Sequence, residues 1–344
     1  MAKLPDHVGI DFGTHSVKAV ELSGISTNKP TLVNLGSQVT PKGVINSEDI
    51  ADQKKLADVL KRLYDASAIK NRQVVMALPE FSVFTRFFEL PGVKKEELKE
   101  AVYYEAKQYI PLPLNEVQLD YVPIGFNTEK NAPRVLVVAA AKKVVNIYVN
   151  IAAQAGLDLL SIETESVAMG RAMYKSTGKN TLVMLDFGAN STDMSIISEG
   201  YLVFSQSIAI GSDSLTQAVV NKFNLDTQRA EEFKRNYGLV DNVLEGKILS
   251  VLTPIIESIL VEVRRGVEFF KSRTLSIAPT DYVLSGDGAL LPGLKEYVAK
   301  SLNANVMIAM PWNNIIIIDK RFEDIAMKGA PSYSVAIGLA LKDE

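Results

Sequence analysis

Apolar residues along the chain follow two rhythms. Short runs of period two, bounded by Gly, Pro, Asn or Asp, predict strands at 8–10, 17–22, 73–78, 117–124, 134–140, 159–163, 183–185, 194–197, 282–284, 306–309 and 315–318. Longer runs with an apolar residue every third or fourth position predict helices at 47–69, 94–110, 142–155, 165–174, 212–223, 228–237, 248–272, 292–302 and 332–341. The first helix takes Ser47 as its N-cap and presents Ile50, Leu56, Val59, Leu60 and Leu63 on one side. Pro111 and Pro113 stop the second, and Gly156 closes the third. The helix at 248–272 keeps an apolar stripe from Ile248 to Phe270 and carries Pro254, a candidate kink. Strands alternating with helices imply α/β layers, with 176–180 connecting two halves.

An internal echo separates those halves. Residues 8–21 read VGIDFGTHSVKAVE and residues 183–196 read VMLDFGANSTDMSI, an offset of 175 in a chain of 344. Each copy is a buried strand, an Asp-Phe-Gly that opens a turn, and a return strand. One copy alone is an ordinary hairpin; two copies at half-chain spacing point to a shared site. Tips of Gly, Thr, Ser and Asn offer N–H groups and hydroxyls to phosphate oxygens. Asp11 and Asp186, at the strand ends, repel phosphate but suit a hydrated Mg²⁺ that contacts it. A third element, SGDGA at 285–289, lies between a strand and a helix that carries Pro292 in its first turn. Its glycines let the backbone approach a flat ligand.

Composition narrows the chemistry. The chain is 47% apolar and 22% charged, which excludes global disorder, and its length suits two domains or two lobes. Lys+Arg number 37 against 40 Asp+Glu, so no basic excess exists to grip nucleic acid or an anionic membrane. The absence of cysteine removes disulfides, thiolate catalysis and Cys-based zinc sites. With His7 and His15 the only histidines, a multi-His metal cage is excluded as well. The N-terminus does not read as a signal peptide, and no apolar run approaches the ~20 residues of a spanning helix. A cytoplasmic protein that reaches a membrane only through a partner is expected.

Five segments in order resemble the nucleotide site of the actin/Hsp70/sugar-kinase superfamily: DFGTHSVKAVEL (11–22), SIETESVAMGRA (161–172), LDFGANSTDMSI (185–196), LSGDGALLPGL (284–294) and YSVAIGLAL (333–341). Three stretches further resemble the PilM family of type IV pilus assembly proteins, relatives of the division protein FtsA. They are FELPGVKKEELKEAVYYEAKQYIPLPLNEVQLDYVPIG (88–125), the 161–172 segment and FSQSIAIGSDSLTQAVVNKFNLDTQRAEEFK (204–234). Here Ser166 replaces a usual Pro, Gln206 a common Arg, and Ser212 the second Gly of a pair.

The resemblance implies an α/β protein with a two-lobed actin-like ATPase (ribonuclease H-like) fold and a small inserted α/β subdomain. The first lobe would span 1–175, with the insertion at about 76–134 and the closing helix at 332–344 returning to it. The second lobe would span 176–331, with a mostly helical part at about 212–278. It implies that Asp11 and Asp186 hold Mg²⁺ through water. Gly13, Thr14, His15 and Ser16, with Gly188, Ala189 and Asn190, would wrap the β and γ phosphates of ATP. Lys18 would face phosphate and Gly211 lie near it. Glu231 and Lys234 would touch ribose and adenine, although their i, i+3 spacing also fits a surface ion pair. Gly286, Asp287 and Gly288 would pack beside the base and α-phosphate. Glu165 would position an attacking water, or simply suit a helix N-terminus.

The partner so implied is the short cytoplasmic N-terminal tail of the inner-membrane protein PilN. It would lie in a groove between the insertion and the first lobe, walled by Phe81, Phe84, Phe87, Phe88 and Leu90. Pilus motor ATPases and self-association are further partners left open. A small-molecule kinase is disfavoured, since no sugar-kinase base motif follows the second Asp-Phe-Gly. Two alternatives stand beside the scaffold reading. One is an FtsA-type filament former, although no amphipathic stretch follows 341. The other is a cytoplasmic component of a type II secretion system.

Overall fold

The computed structural model describes residues 3–127, 131–241, 246–274 and 279–344. The expected helical part at 212–278 therefore includes 242–245 and 275–278, which lie outside the described residues. Three sheets organise the rest. The first joins β1 (Val8–Phe12), β2 (Ser16–Ser23), β3 (Thr31–Val39), β4 (Gln73–Leu78) and β8 (Asp158–Thr164) in the order β3-β2-β1-β4-β8. The second joins β9 (Thr181–Phe187), β10 (Thr192–Ser198), β11 (Tyr201–Ile208), β12 (Asp281–Ser285) and β13 (Asn305–Ile308) in the order β11-β10-β9-β12-β13. In both, the first three strands form an antiparallel meander, and two parallel strands follow on the other side. The sequence echo is thus a repeated topology. Parallel neighbours need crossovers, and α1 (Ile50–Ser67) between β1–β3 and β4 is one such connection.

The third sheet, β5-β7-β6, is built from β5 (Val83–Glu89), β6 (Val117–Asn127) and β7 (Ala132–Ala141). The helix α2 (Leu98–Ala106) covers one face, burying Leu98, Val102 and Ala106 against Val135 and Val137. Strand 73–78 stays inside the first sheet, so the inserted sheet begins after it. Three helices, α3 (Lys142–Ala155), α4 (Glu165–Thr177) and α5 (Ser212–Phe223), begin where the sequence periodicity puts them. They are followed by α6 (Thr227–Tyr237), α7 (Lys247–Thr274), α8 (Leu294–Leu302), α9 (Lys320–Lys328) and α10 (Ser334–Ala340). Pro254 lies inside α7, which continues through it.

Small residues set the approach of the central elements. A Cβ on Gly338 of α10 would stand 1.8 Å from the Ala168 carbonyl oxygen of α4, and one on Gly9 would stand 2.2 Å from that of Ala336. Both are excluded distances, so α10 lies directly on β1 and α4. Arg171 of α4 then makes a two-pronged contact with Glu163 (2.6 and 2.8 Å) and donates to the Gly338 carbonyl (2.6 Å). Lys342 reaches the same Glu163 at 3.0 Å.

Several elements differ from the sequence expectation. Asp49, not Ser47, caps α1 by accepting from the Ala51 N–H at 2.7 Å, while Ser47 donates to Asp52. The helix expected at 94–110 enters as a 3₁₀ turn and ends at Ala106, followed by turns in which the Ile110 N–H donates to the Ala106 carbonyl (3.0 Å) just before Pro111. Residues 315–318 form no strand. Ile316 makes one bridge to Thr31 at the start of β3. The expected helix at 332–341 begins as a 3₁₀ turn, Ala330–Tyr333. Strands β3, β5 and β11 and helix α9 were not expected.

Candidate functional site

The two hairpin tips and the 285–289 turn converge on one cavity of about 430 Å³. Local chemistry holds each tip. Thr40 pins the first, its hydroxyl donating to the Gly13 carbonyl (2.7 Å) and its N–H to that of His15 (3.0 Å). In the second, Gly188 N–H closes a tight turn onto the Ser191 carbonyl (3.0 Å). The start of α5 lies beneath it, with Ser212 and Asp213 N–H groups donating to the Gly188 and Ala189 carbonyls, both at 2.9 Å. Gly286 has φ +80°, and a Cβ there would stand 2.5 Å from both Asp186 Oδ1 and the Phe187 carbonyl. Only glycine permits this approach of the third turn to the second hairpin.

Asp11, Gly13, Thr14, His15, Ser16, Lys18, Glu165, Asp186, Gly188, Ala189, Asn190, Glu231, Lys234, Gly286, Asp287 and Gly288 all border this cavity. Gly211 does not. It lies under the second tip, where a Cβ would meet the Ala189 carbonyl at 2.3 Å. The two lobes also touch across the cleft: His15 Nε2 lies 3.1 Å from Asp213 Oδ2, and Lys18 Nζ lies 3.6 Å from Asp287 Oδ2. Ser332 donates a short hydrogen bond to Asp287.

Electrostatics distinguishes the floor of the cleft. Register pairs Asp11 with Lys18 on the first hairpin, and Asp186 with Asp193 at the matching place on the second. Burial raises Asp11 to about 6 against the pull of Lys18. Desolvation, then Asp193 and Asp11, raise Asp186 to about 8. Burial also raises Asp193 to about 6, although the nearby Ser207 and Ser191, whose hydroxyl donates to Asp193 Oδ2 at 3.0 Å, favour its charge. Glu165 is pushed well above the usual carboxyl range by burial and by Asp11, Asp193 and Asp186. Burial opposes the charge on Lys18, yet Asp11 and Asp287 hold its ammonium above its ordinary value. Such a floor favours an added positive charge or bound protons.

Asp193 was missed by sequence reasoning. Its Oδ1 has no hydrogen-bond partner among the described residues, and the side chain borders the cavity. The signal was present, since Asp193 stands 175 residues after Lys18, the same offset that relates the two aspartates.

The i, i+3 pair on α6 is not a solvated surface pair. Lys234 is 3% exposed, and its Nζ donates to the Ser212 carbonyl (3.2 Å), Ser212 Oγ (2.6 Å) and Thr216 Oγ1 (2.9 Å). It also meets Glu231 at 2.7 Å. Burial works against the Glu231 carboxylate, but hydrogen bonds from Lys234, Thr216 and Arg235 hold it down at about 2. Glu165 borders the cleft from the start of α4, where its Oε2 accepts the Glu80 N–H at 3.0 Å.

The aromatic wall expected at 81–90 is divided. Phe81 borders the cleft, while Phe88 and Leu90 are buried in the core beneath α2. Phe84 and Phe87 border a second cavity of about 590 Å³, together with Phe88, Tyr109, Phe204, Phe269 and Phe270. This cavity opens between the β5 edge and β11 with the end of α7.

The family model for the type IV pilus assembly protein PilM matches residues 9–344. The chain belongs to the PilM family. A solved PilM–PilN type IV pilus biogenesis complex contains a PilM-like chain that is 30% identical, with a TM-score of 0.85 and 98% of each chain covered. Among curated relatives, the cell division protein FtsA of Bacillus subtilis (strain 168) is 22% identical over 375 residues, spanning 97% of this chain and 82% of FtsA. MreB5 of Spiroplasma citri, solved bound to AMPPNP, is 16% identical with a TM-score of 0.54, covering 97% of this chain and 94% of that one. The PilM-family chain thus has the actin-like ATPase fold, and the repeated sheets and the cleft between them are its two lobes. Among the described residues, no helix is long and apolar enough to cross a membrane.

Proposed function

We propose that this PilM-family protein binds Mg²⁺–ATP in the interlobe cleft and acts as a nucleotide-dependent scaffold that holds the cytoplasmic tail of PilN. One observation carries the reading: two equivalent acidic hairpins, one per lobe, face a common cavity whose floor sets the carboxyls of Asp11, Asp186, Asp193 and Glu165 against the ammonium of Lys18. Among the described residues, no group of three or more Asp, Glu, His or Cys could hold a metal alone. That donor set fits Mg²⁺, which takes one or two carboxylates and fills its other positions with water and phosphate. Bound there, the ion neutralises phosphate charge.

Asp11 and Asp186 hold the hydrated ion, and Asp193 supplies a further acceptor. N–H groups and hydroxyls of 13–16 and 188–190 receive the β and γ phosphates. Lys18 adds a cation at the phosphates, and Gly286–Gly288 let the base and α-phosphate lie against the backbone. Lys234 acts mainly by holding the start of α5 under the second tip, while Glu231 lies at the ribose end with Arg235 beside it. Burial and the neighbouring carboxyls push Glu165 well above the usual carboxyl range, which disfavours its ionised form at the cleft floor and suits slow hydrolysis at most. Nucleotide bound in MreB5 supports the cofactor assignment.

The PilN tail is placed along the open edge of β5, in the aromatic cavity, where an extended segment gains backbone pairing and apolar pockets. The PilM–PilN complex supports this partner. Association with the inner membrane then comes through PilN. A second reading, an FtsA-type filament, is supported by the FtsA relatives. Sedimentation with and without Mg²⁺–ATP distinguishes it, since a scaffold stays in the supernatant. Calorimetry of Mg²⁺–ATP binding tests the main reading. Asp11→Ala is expected to weaken binding at least ~100-fold while the apo circular-dichroism spectrum stays native; unchanged affinity sinks the assignment.

A further inference from the structure

One buried acid touches residues of both cavities while bordering neither. Glu80 lies in the 3₁₀ turn Glu80–Ser82 that follows β4, 4% exposed. Its N–H donates to Glu165 Oε2 (3.0 Å), and its own Oε2 accepts the Ser166 N–H (3.4 Å), so the turn and the start of α4 hold one another. Across the lobes, the turn at 80–82 packs against β11, whose Ser205 hydroxyl favours the charged form of the buried Glu80 carboxyl. Its charge is also felt by Asp193 at the cleft floor. The neighbours on either side, Pro79 and Phe81, line the cleft. Ser205 borders the aromatic cavity, and β5, which leaves the turn at Val83, contributes Phe84 and Phe87 to it.

We infer that Glu80 is the positioning residue through which ligands in the cleft and in the aromatic cavity alter each other's binding. The inference rests on the functional reading above, with Mg²⁺–ATP in the cleft and the PilN tail along β5. A ligand that grips both lobes fixes their angle. The turn at 80–82 packs against β11, so a change of angle acts on Glu80 where it faces that strand. The same movement sets the spacing of β5 and β11, which is the width of the aromatic cavity. Each ligand thereby selects among the same lobe angles, and linkage makes the effect reciprocal.

The test is a coupling ratio. A synthetic peptide of the N-terminal cytoplasmic residues of PilN is titrated into the full chain with and without saturating Mg²⁺–ATP. The ratio of the two Kd values is expected to depart from one by at least ~5-fold in the wild type. Glu80→Ala, which loses both side-chain contacts, should bring it below ~2-fold. Glu80→Gln should keep most of it, because its Oε1 can accept the Ser166 N–H while its amide donates to Ser205 Oγ. A merely structural role would lower the melting temperature of Glu80→Ala and leave the ratio unchanged, which overturns the inference. A wild-type ratio of one with both ligands bound also overturns it. Failure of wild-type protein to bind Mg²⁺–ATP is a separate signature: it removes the functional reading, and this inference with it.

Discussion

Asp186 carries a stability cost that a single substitution should release. Its carboxyl ionises near pH 8 in the folded chain, against an ordinary value of 3.8. Between these limits the folded state holds a proton that the unfolded state has released. Stability therefore falls as pH rises through that window, by about 1.4 kcal/mol per pH unit, levelling off above 8. From pH 6 to pH 8 the loss from this group alone comes to roughly 2 kcal/mol. Asp186→Asn keeps the volume and removes the ionisation. In urea unfolding with EDTA and no nucleotide, the stability difference between variant and wild type should move in the variant's favour by roughly 2 kcal/mol between pH 6 and 8. Added Mg²⁺–ATP should stabilise the wild type more at pH 8 than at pH 6, and should give the variant little. A difference that stays flat or shrinks with pH refutes the reasoning, because the acidic floor would then not be strained.

Three further outcomes follow from particular contacts. Gly286→Ala places a methyl group against Asp186 Oδ1 and the Phe187 carbonyl at φ +80°; thermal melts should show a loss of roughly 2–3 kcal/mol, with weaker Mg²⁺–ATP binding by calorimetry. Arg171→Ala leaves Glu163 with Lys342 as its remaining cation and should cost roughly 3 kcal/mol in denaturant unfolding, with Glu163→Gln on the same background restoring part of it. Phe87→Asp should weaken binding of the PilN peptide at least ~10-fold in fluorescence anisotropy while Mg²⁺–ATP affinity holds. Equal loss of both would mean that the fold was damaged.

Much of the site was legible because its chemistry is local. A strand ending in Asp-Phe-Gly and a glycine turn declare themselves in a few residues, and the offset of 175 joins two of them. What lay beyond local pattern was not legible. Asp193 stands on a return strand; the offset of 175 ties it to Lys18, but that it faces Asp186 as Lys18 faces Asp11 comes from the cross-strand register. The spacing of Glu231 and Lys234 says they share a helix face, but not that α5 buries that face. Strand β5 escaped notice because nearly all its residues are half-buried, with chemistry on both faces rather than clean alternation. Its aromatic residues consequently read as one wall, whereas tertiary packing sends Phe81, Phe84 with Phe87, and Leu90 to three different places. Residues 315–318 are apolar enough for a strand, yet only Ile316 pairs, at the very start of β3.

The most direct measurement is a crystal structure of the chain grown with Mg²⁺ and AMPPNP. The triphosphate should lie between the tips at 13–16 and 188–190, with the ion water-bridged to Asp11 and Asp186. Nucleotide bound elsewhere, or the two tips separated with the cleft filled by side chains, would contradict the account.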